Sequence, residues 1–210
     1  RAAKPDARTI QMAMVELERR RRERIKALVD DRVQRIYGNY ATYINTLRRY
    51  KMSDDQRLNF ERAGVILQPK QIEFAVAARN ADYAGNPNEI GMGGARGGSK
   101  SFALFAQAAL DDCQRYPGLK LLYLRKTAKA SKEQLDDLYK NILANVVCEK
   151  TTEAVKFPNG SRIVIGGFKD DATALSYQGI EYDGLLVEEA TQLLERTYKT
   201  LRLRDRKSVV

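Results

Sequence analysis

The stretch Gly93-Gly94-Ala95-Arg96-Gly97-Gly98-Ser99-Lys100-Ser101 constrains this chain more than any other. Counted back from Lys100 it reads Gly-x-x-x-x-Ser-Lys-Ser, a phosphate-binding loop (P-loop) with Ser99 standing where the usual pattern has its second glycine. Glycines let the backbone turn so that successive N–H groups face phosphate oxygens. Helix-competent residues follow at once, from Ser101 and Phe102 onward, so the loop empties into a helix N-terminus, whose free N–H groups and dipole favour an anion. Gly94, Ala95, Arg96, Gly97, Gly98, Ser99, Lys100, Ser101 and Phe102 are therefore the candidate phosphate-binding residues. Lys100 can reach the outer phosphates, and the Ser101 hydroxyl can ligate Mg²⁺.

The loop needs an acidic partner, and one stands downstream. Tyr182-Asp183-Gly184-Leu185-Leu186-Val187-Glu188-Glu189 reads as an apolar strand ending in two acids. In P-loop ATPases such a strand lies beside the strand that feeds the loop. Glu188 is then the acid that holds Mg²⁺, and Glu189 the base that polarises the attacking water. The competing reading makes the two glutamates the cap of a helix over 190–201. No Asn-Lys-x-Asp base-reading motif of GTPases is present.

Composition narrows the class. The 210 residues include no histidine, so imidazole catalysis and histidine metal sites are excluded within this chain. Cys113 and Cys148 lack metal-site spacing and fit a reducing compartment. No apolar run approaches a membrane span, and no signal peptide is expected. The net charge of +10 is uneven: residues 1–60 hold fifteen Lys/Arg against eight Asp/Glu. A basic appendage on a near-neutral body points to a polyanion, with Arg19, Arg20, Arg21, Arg22 and Arg24 as the candidate contacts, against the plainer alternative of a solvated helix.

The spacing of apolar residues predicts helices over 9–37, 40–50 and 54–63, the last opened by Ser53 and stopped by Gly64. A boundary near Gly64 divides a basic helical region, 1–64, from an ATPase domain, 65–210. Pro69 opens a helix to about Ala78. Its Gln71 carries an amide able to read adenine, although a surface glutamine is the commoner meaning of such a residue. A short strand over 89–92 feeds the loop, and the helix after it runs to about Gln114. Leu119–Arg125 is a strand buried on both faces, and a helix follows over 132–146. Glu153–Phe157 and Arg162–Ile165 form a hairpin about Pro158-Asn159-Gly160. The predicted architecture is α/β: a mostly parallel central sheet flanked by helices, with an N-terminal helical appendage.

Four stretches together resemble the large terminase subunit of tailed bacteriophages. These are the glycine loop with its internal arginine, the strand ending Arg125-Lys126-Thr127, Ser176-Tyr177-Gln178-Gly179-Ile180, and Leu186-Val187-Glu188-Glu189-Ala190 followed by Leu201-Arg202-Leu203-Arg204. The resemblance covers roughly residues 65–204. It implies an ATPase, using ATP and Mg²⁺, that drives double-stranded DNA into a procapsid. It also implies work in the cytoplasm of an infected bacterium, as a homo-oligomeric ring on the portal protein, with the small terminase subunit as a further partner. By the same resemblance Gln71 contacts adenine, Arg96 senses the γ-phosphate, Lys100 and Ser101 bind phosphate and metal, and Glu188 and Glu189 are the metal and catalytic acids. The family's coupling strand would lie beyond Leu203, and its nuclease carboxylates have no room here, so no nuclease activity is expected of this chain. No arginine between Arg162 and Arg196 offers a finger for a neighbouring subunit. Two alternatives stand beside this one: another P-loop translocase such as a helicase, and a nucleotide-gated DNA-binding module.

Overall fold

A computed structural model describes residues 6–94, 99–169, 173, 177, 180–202 and 208–209. Three helices open the chain. In α1, Ala7–Tyr37, Asp6 caps the first turn by accepting from the Thr9 N–H, and Gly38, at φ 76°, closes the last. Asn39 caps α2, Tyr40–Arg49, and Ser53 caps α3, Asp54–Glu61, in the same way. Gly64 ends this section at φ 78°, the left-handed region that glycine occupies without strain, and a Cβ there would lie 2.7 Å from Leu28 Cδ2 and would have to push that side chain aside.

Only Val29 and Val33 of α1 are buried. They share one hydrophobic cluster with Tyr43, Leu47 and Phe60 before Gly64, and with Phe105, Leu110 and Tyr123 after it. Packing therefore continues across Gly64. Phe105 and Tyr123 meet edge to face, 5.9 Å between ring centroids and 89° between planes, which adds about 1 kcal/mol to the burial of two large side chains.

The remaining elements build an α/β layer. Helix α4, Pro69–Asn80, opens on a reciprocal capping box between Gln68 and Gln71. Strand β1, Glu89–Ile90, precedes the glycine loop, and α5, Lys100–Ala106, follows it. The winding then widens into π-helical turns over Gln107–Asp112, and α6, Cys113–Arg115, completes the rod. The sequence showed a plain helix here. The wider turn lets the Gln107 amide reach both Asp111 Oδ2, 2.9 Å, and Asp112 Oδ1, 3.0 Å, in the buried interior.

After β2, Lys120–Arg125, comes α7, Ala128–Ile142, four residues earlier than its expected span. Thr127 decides the start, because its side chain accepts from the Ala130 N–H. Strands β3, Glu149–Lys150, β4, Ala154–Lys156, and β5, Arg162–Gly167, form a meander that contains the expected hairpin. β6 is Gly184–Val187, and β7 is Ser208–Val209. The helix expected over 190–201 is broken into a 3-10 turn, Ala190–Gln192, and α8, Glu195–Arg202, because Leu193 is extended between them.

The sheet order is β1-β7-β6-β2-β5-β4-β3. The first five strands are parallel, and β4 and β3 are antiparallel to their neighbours. The acid-bearing strand was expected beside the loop strand; instead β7 lies between them. Among the described residues no helix is long and apolar enough to cross a membrane.

Candidate functional site

Because β1, β7, β6, β2 and β5 run parallel, their carboxyl ends share one edge of the sheet, where ligands of open α/β sheets bind. The glycine loop leaves β1 at that edge, Glu188 and Glu189 leave β6, and Arg125 closes β2. Two strand spacings separate β1 from β6, about 10 Å. A pocket of about 460 Å³ lies between the end of β1 and the turn after β6: Glu89, Ile90 and Gly91 line one side, and Ala190, Leu193 and Tyr198 the other.

Ala95, Arg96, Gly97 and Gly98 lie outside the described residues, as do Ser176, Gln178 and Gly179. Gly94 has φ 136°, and Lys100, the first residue of α5, donates from Nζ to its carbonyl at 2.9 Å. Ser99 sits at φ 50°, ψ 35°, the left-handed region that glycine occupies without strain. That conformation explains why the usual pattern has glycine at this point. Ser101 follows in the first turn of α5.

Gln71 is buried, yet its amide is only half used. Oε1 accepts from the Gln68 N–H at 2.8 Å, and Nε2 donates to the Ser99 carbonyl at 3.2 Å. Among the described residues, one acceptor lone pair and one N–H remain, the pair that an adenine edge requires. Gln71 lines a second pocket, of about 230 Å³, with Phe102, Ser99, Ile36 and Arg35.

Glu188 is buried at 5% exposure, behind Leu185, Leu186 and Val187. Its Oε2 lies 3.2 Å from Arg125 Nε, an ion pair whose N–H is not aimed at the oxygen. Its Oε1 has no hydrogen-bond partner. The Tyr123 hydroxyl is also buried, beside Glu188, and burial, with the Glu188 charge and a hydrogen bond to it adding, holds that phenol well above its ordinary pKa. Arg125 Nε and Glu188 Oε1 are thus buried without a hydrogen bond at adjoining strand ends. Buried polar groups are normally satisfied, so orphans gathered at one strand end mark a place that takes water or an ion. The chemistry fits Mg²⁺, which takes one or two protein oxygens and fills its other positions with water and phosphate. Among the described residues no group of three or more acidic, cysteine or histidine side chains could cage a metal.

Glu189 shares Arg125 with its neighbour but differs in backbone and exposure. Its backbone is left-handed, φ 54°, ψ 43°, and its side chain is 48% exposed. Arg125 donates to Oε1 and Gln192 to Oε2, each at 2.8 Å. Adjacent strand residues point opposite ways, and the turn at Glu189 is what lets both acids border one edge.

Arg125 was not among the candidates from sequence. Its main-chain N–H donates to Ser131 Oγ at 3.1 Å, and that hydroxyl donates to the Gly166 carbonyl at 2.6 Å, so one buried serine ties the ends of β2 and β5 together. A Cβ on Gly167 would stand 2.5 Å from the Ala128 nitrogen. Tyr177 closes the same end by accepting from the Gly167 N–H at 2.9 Å.

The arginine run in α1 answers largely to its own helix. Glu16 pairs with Arg19 and Arg20, Glu18 with Arg21 and Arg22, and Glu23 with Arg19. Arg21 also donates to the Asn145 carbonyl at 2.7 Å. Four of the five candidate arginines thus pair with glutamates of their own helix, three carboxylates against five cations.

A family model described as "Phage terminase large subunit" matches residues 88–209, more than half of the chain. No curated protein matches the sequence. Among solved structures, a large terminase from the thermophilic bacteriophage D6E superposes with a TM-score of 0.54 at 16% identity, covering 67% of this chain and 37% of that one. A second structure of that terminase, in complex with ADP, gives 0.53 at 15% identity, with the same coverage. The chain thus spans well under half the length of the solved structures it matches, and at these identities the likeness bears on the fold.

Proposed function

This chain belongs to the phage terminase large subunit family, and on that premise we propose that it binds and hydrolyses ATP to drive double-stranded DNA into a procapsid. The observation that carries this reading is the buried, half-orphaned Glu188 beside the half-exposed Glu189, on the sheet edge where the glycine loop opens. The ADP-bound terminase of D6E supports a nucleotide site in this fold. Membership of this family weighs against the helicase alternative.

In this reading the loop N–H groups and Lys100 hold the phosphates, with the Lys100 ammonium exchanging the Gly94 carbonyl for phosphate oxygens. Gln71, through its spare lone pair and N–H, receives adenine in the pocket beside Phe102. Ser101 and Glu188 would hold Mg²⁺, which when bound neutralises charge on the phosphates. Glu189 orients a water and takes its proton as the water oxygen attacks the terminal phosphorus. The bond to the bridging oxygen breaks, leaving ADP and inorganic phosphate. Arg96 stands in the loop as the further cation for the developing charge. Double-stranded DNA, the portal and procapsid, the small terminase subunit and sister copies in a ring are the partners this function requires, and the host cytoplasm is where it works.

Turnover of ATP, with and without procapsid and linear duplex DNA, tests the proposal. Glu189→Gln should keep nucleotide bound while turnover falls about 10²-fold or more, the scale of a positioned base. Glu188→Gln should instead raise the Mg²⁺ concentration needed for half-maximal rate. Equal and mild effects from both would reduce the two acids to structural residues.

A further inference from the structure

Arg125 touches both acids, and the two pairings differ in kind. Toward Glu188 it faces a buried carboxylate that has nowhere to go. Toward Glu189 it faces a carboxylate at a half-exposed turn, free to swing. The arginine is itself fixed. Its N–H bonds Ser131, and its NH1 group reaches Gln134 Oε1 at 3.3 Å and the Ala130 carbonyl at 3.5 Å, so α7 holds it from one side. In this pair Glu189 is the part that can move.

The direction matters. Arg125 ends β2, on one flank of β6, whereas the loop strand β1 lies on the other flank beyond β7. A Glu189 carboxylate bonded to Arg125 leans toward β2, away from the strand that delivers the phosphate loop. Gln192, one 3-10 turn onward, takes the second oxygen. Both oxygens are thus engaged within the protein, by groups from β2 and from the turn after β6.

We propose that Arg125 and Gln192 form a latch that holds Glu189 away from the phosphate loop, and that hydrolysis requires Glu189 to leave it. The proposal rests on the ATPase reading above, with Glu189 as base. When Glu189 leaves, Glu188 remains as counterion to Arg125, so no buried charge is stranded and the latch can open at moderate cost. Arg125 is in this sense a positioning residue acting through Glu189.

The test uses steady-state ATP hydrolysis by the full chain, separating kcat from KM. Gln192→Ala removes one arm of the latch at an exposed turn and should raise basal kcat about 2- to 5-fold with KM unchanged, the worth of one partly exposed charge-assisted bond. Arg125→Lys keeps a cation beside Glu188 but loses the second N–H group, and should raise kcat by at least as much. Adding Glu189→Gln to either variant should return turnover to that of Glu189→Gln alone. A kcat unchanged or lowered in Gln192→Ala, with Arg125→Lys still folded by circular dichroism, would overturn the latch. If Glu189→Gln by itself turned over at the wild-type rate, the fault would lie with the base assignment instead.

Discussion

The Gln71 amide donates to the Ser99 carbonyl at 3.2 Å, tying the first turn of α4 to the residue that ends the glycine loop. The same side chain caps its own helix by accepting from Gln68. Loop position and base recognition therefore depend on one residue. Gln71→Ala should lower stability by about 1 kcal/mol through removal of the cap. It should also reduce the preference for ATP over GTP by about tenfold, the scale of one bidentate base contact. Competitive binding of the two nucleotides checks this: weaker affinity with unchanged preference would leave Gln71 a brace and not a reader.

Ser99 occupies a left-handed conformation that costs a residue with a Cβ about 1–2 kcal/mol. Ser99→Gly relieves that strain, and the added freedom of the unfolded chain takes part of the gain back. A net stabilisation of about 0.5–1 kcal/mol should follow, read as a rise of about 1–4 °C in Tm for a chain of this size. Nucleotide affinity should be preserved, since the Ser99 group that meets Gln71 is its main-chain carbonyl. A fall in Tm would mean that the Ser99 hydroxyl holds the loop.

Asp55 supplies a pH signature for the seam between α3 and α4. A hydrogen bond from Ser53, with Arg79 adding a bond and its charge, lowers the carboxyl from 3.8 to about 2. A depressed folded-state pKa contributes stability that is present above the unfolded value and lost as pH falls through the folded one. The window is therefore pH 4 down to about 2. Asp55→Asn should lose the contribution at neutral pH and show a flatter acid limb. The side chain is 68% exposed, so screening keeps the effect at or below about 1 kcal/mol. Urea midpoints at pH 7 and pH 3 measure it, and parallel acid limbs in the two proteins would contradict it.

Much of this site was legible because it is local. The glycine loop, the Ser53 cap, and the apolar run before Glu188 each declare themselves within a few residues. Arg125 was missed although its signal was present. Leu-Leu-Tyr-Leu-Arg and Leu-Leu-Val-Glu-Glu are two apolar strands, one ending in a cation and one in two anions. Paired in parallel with Leu124 opposite Val187, they must bring Arg125 against Glu188. Without the pairing, Arg125 reads as the polar end of a strand. The insertion of β7 between β1 and β6 was illegible for the same reason, since strand order depends on long-range packing. The π-helical turns at Gln107–Asp112 depend on a buried polar cluster drawn from α3, α4 and α6, in which Asn59 meets Asp111 and Arg115 meets Asp111 and Asp112.

The arginine run in α1 yields a prediction that separates its members. Arg20 and Arg22 pair with glutamates one turn earlier on an exposed surface, with side chains 73% and 79% exposed. Such pairs contribute about 0.3–0.5 kcal/mol each. Arg21 is different: its guanidinium reaches the Asn145 carbonyl, joining α1 to the segment after α7 across a separation of 124 residues. Arg21→Ala should cost about 1–2 kcal/mol, because it strands a partly buried acceptor and removes a long-range tie of α1. Arg20→Ala and Arg22→Ala should each stay within about 0.5 kcal/mol of the parent. If DNA binds here, those two should also flatten the salt dependence of affinity, by about 0.9 for each phosphate no longer neutralised. Denaturant unfolding of the three single variants, with DNA titrations at several salt concentrations, reads both effects. Equal stability losses in all three would mean that α1 is held by its charge as a whole and not by the Arg21 tie.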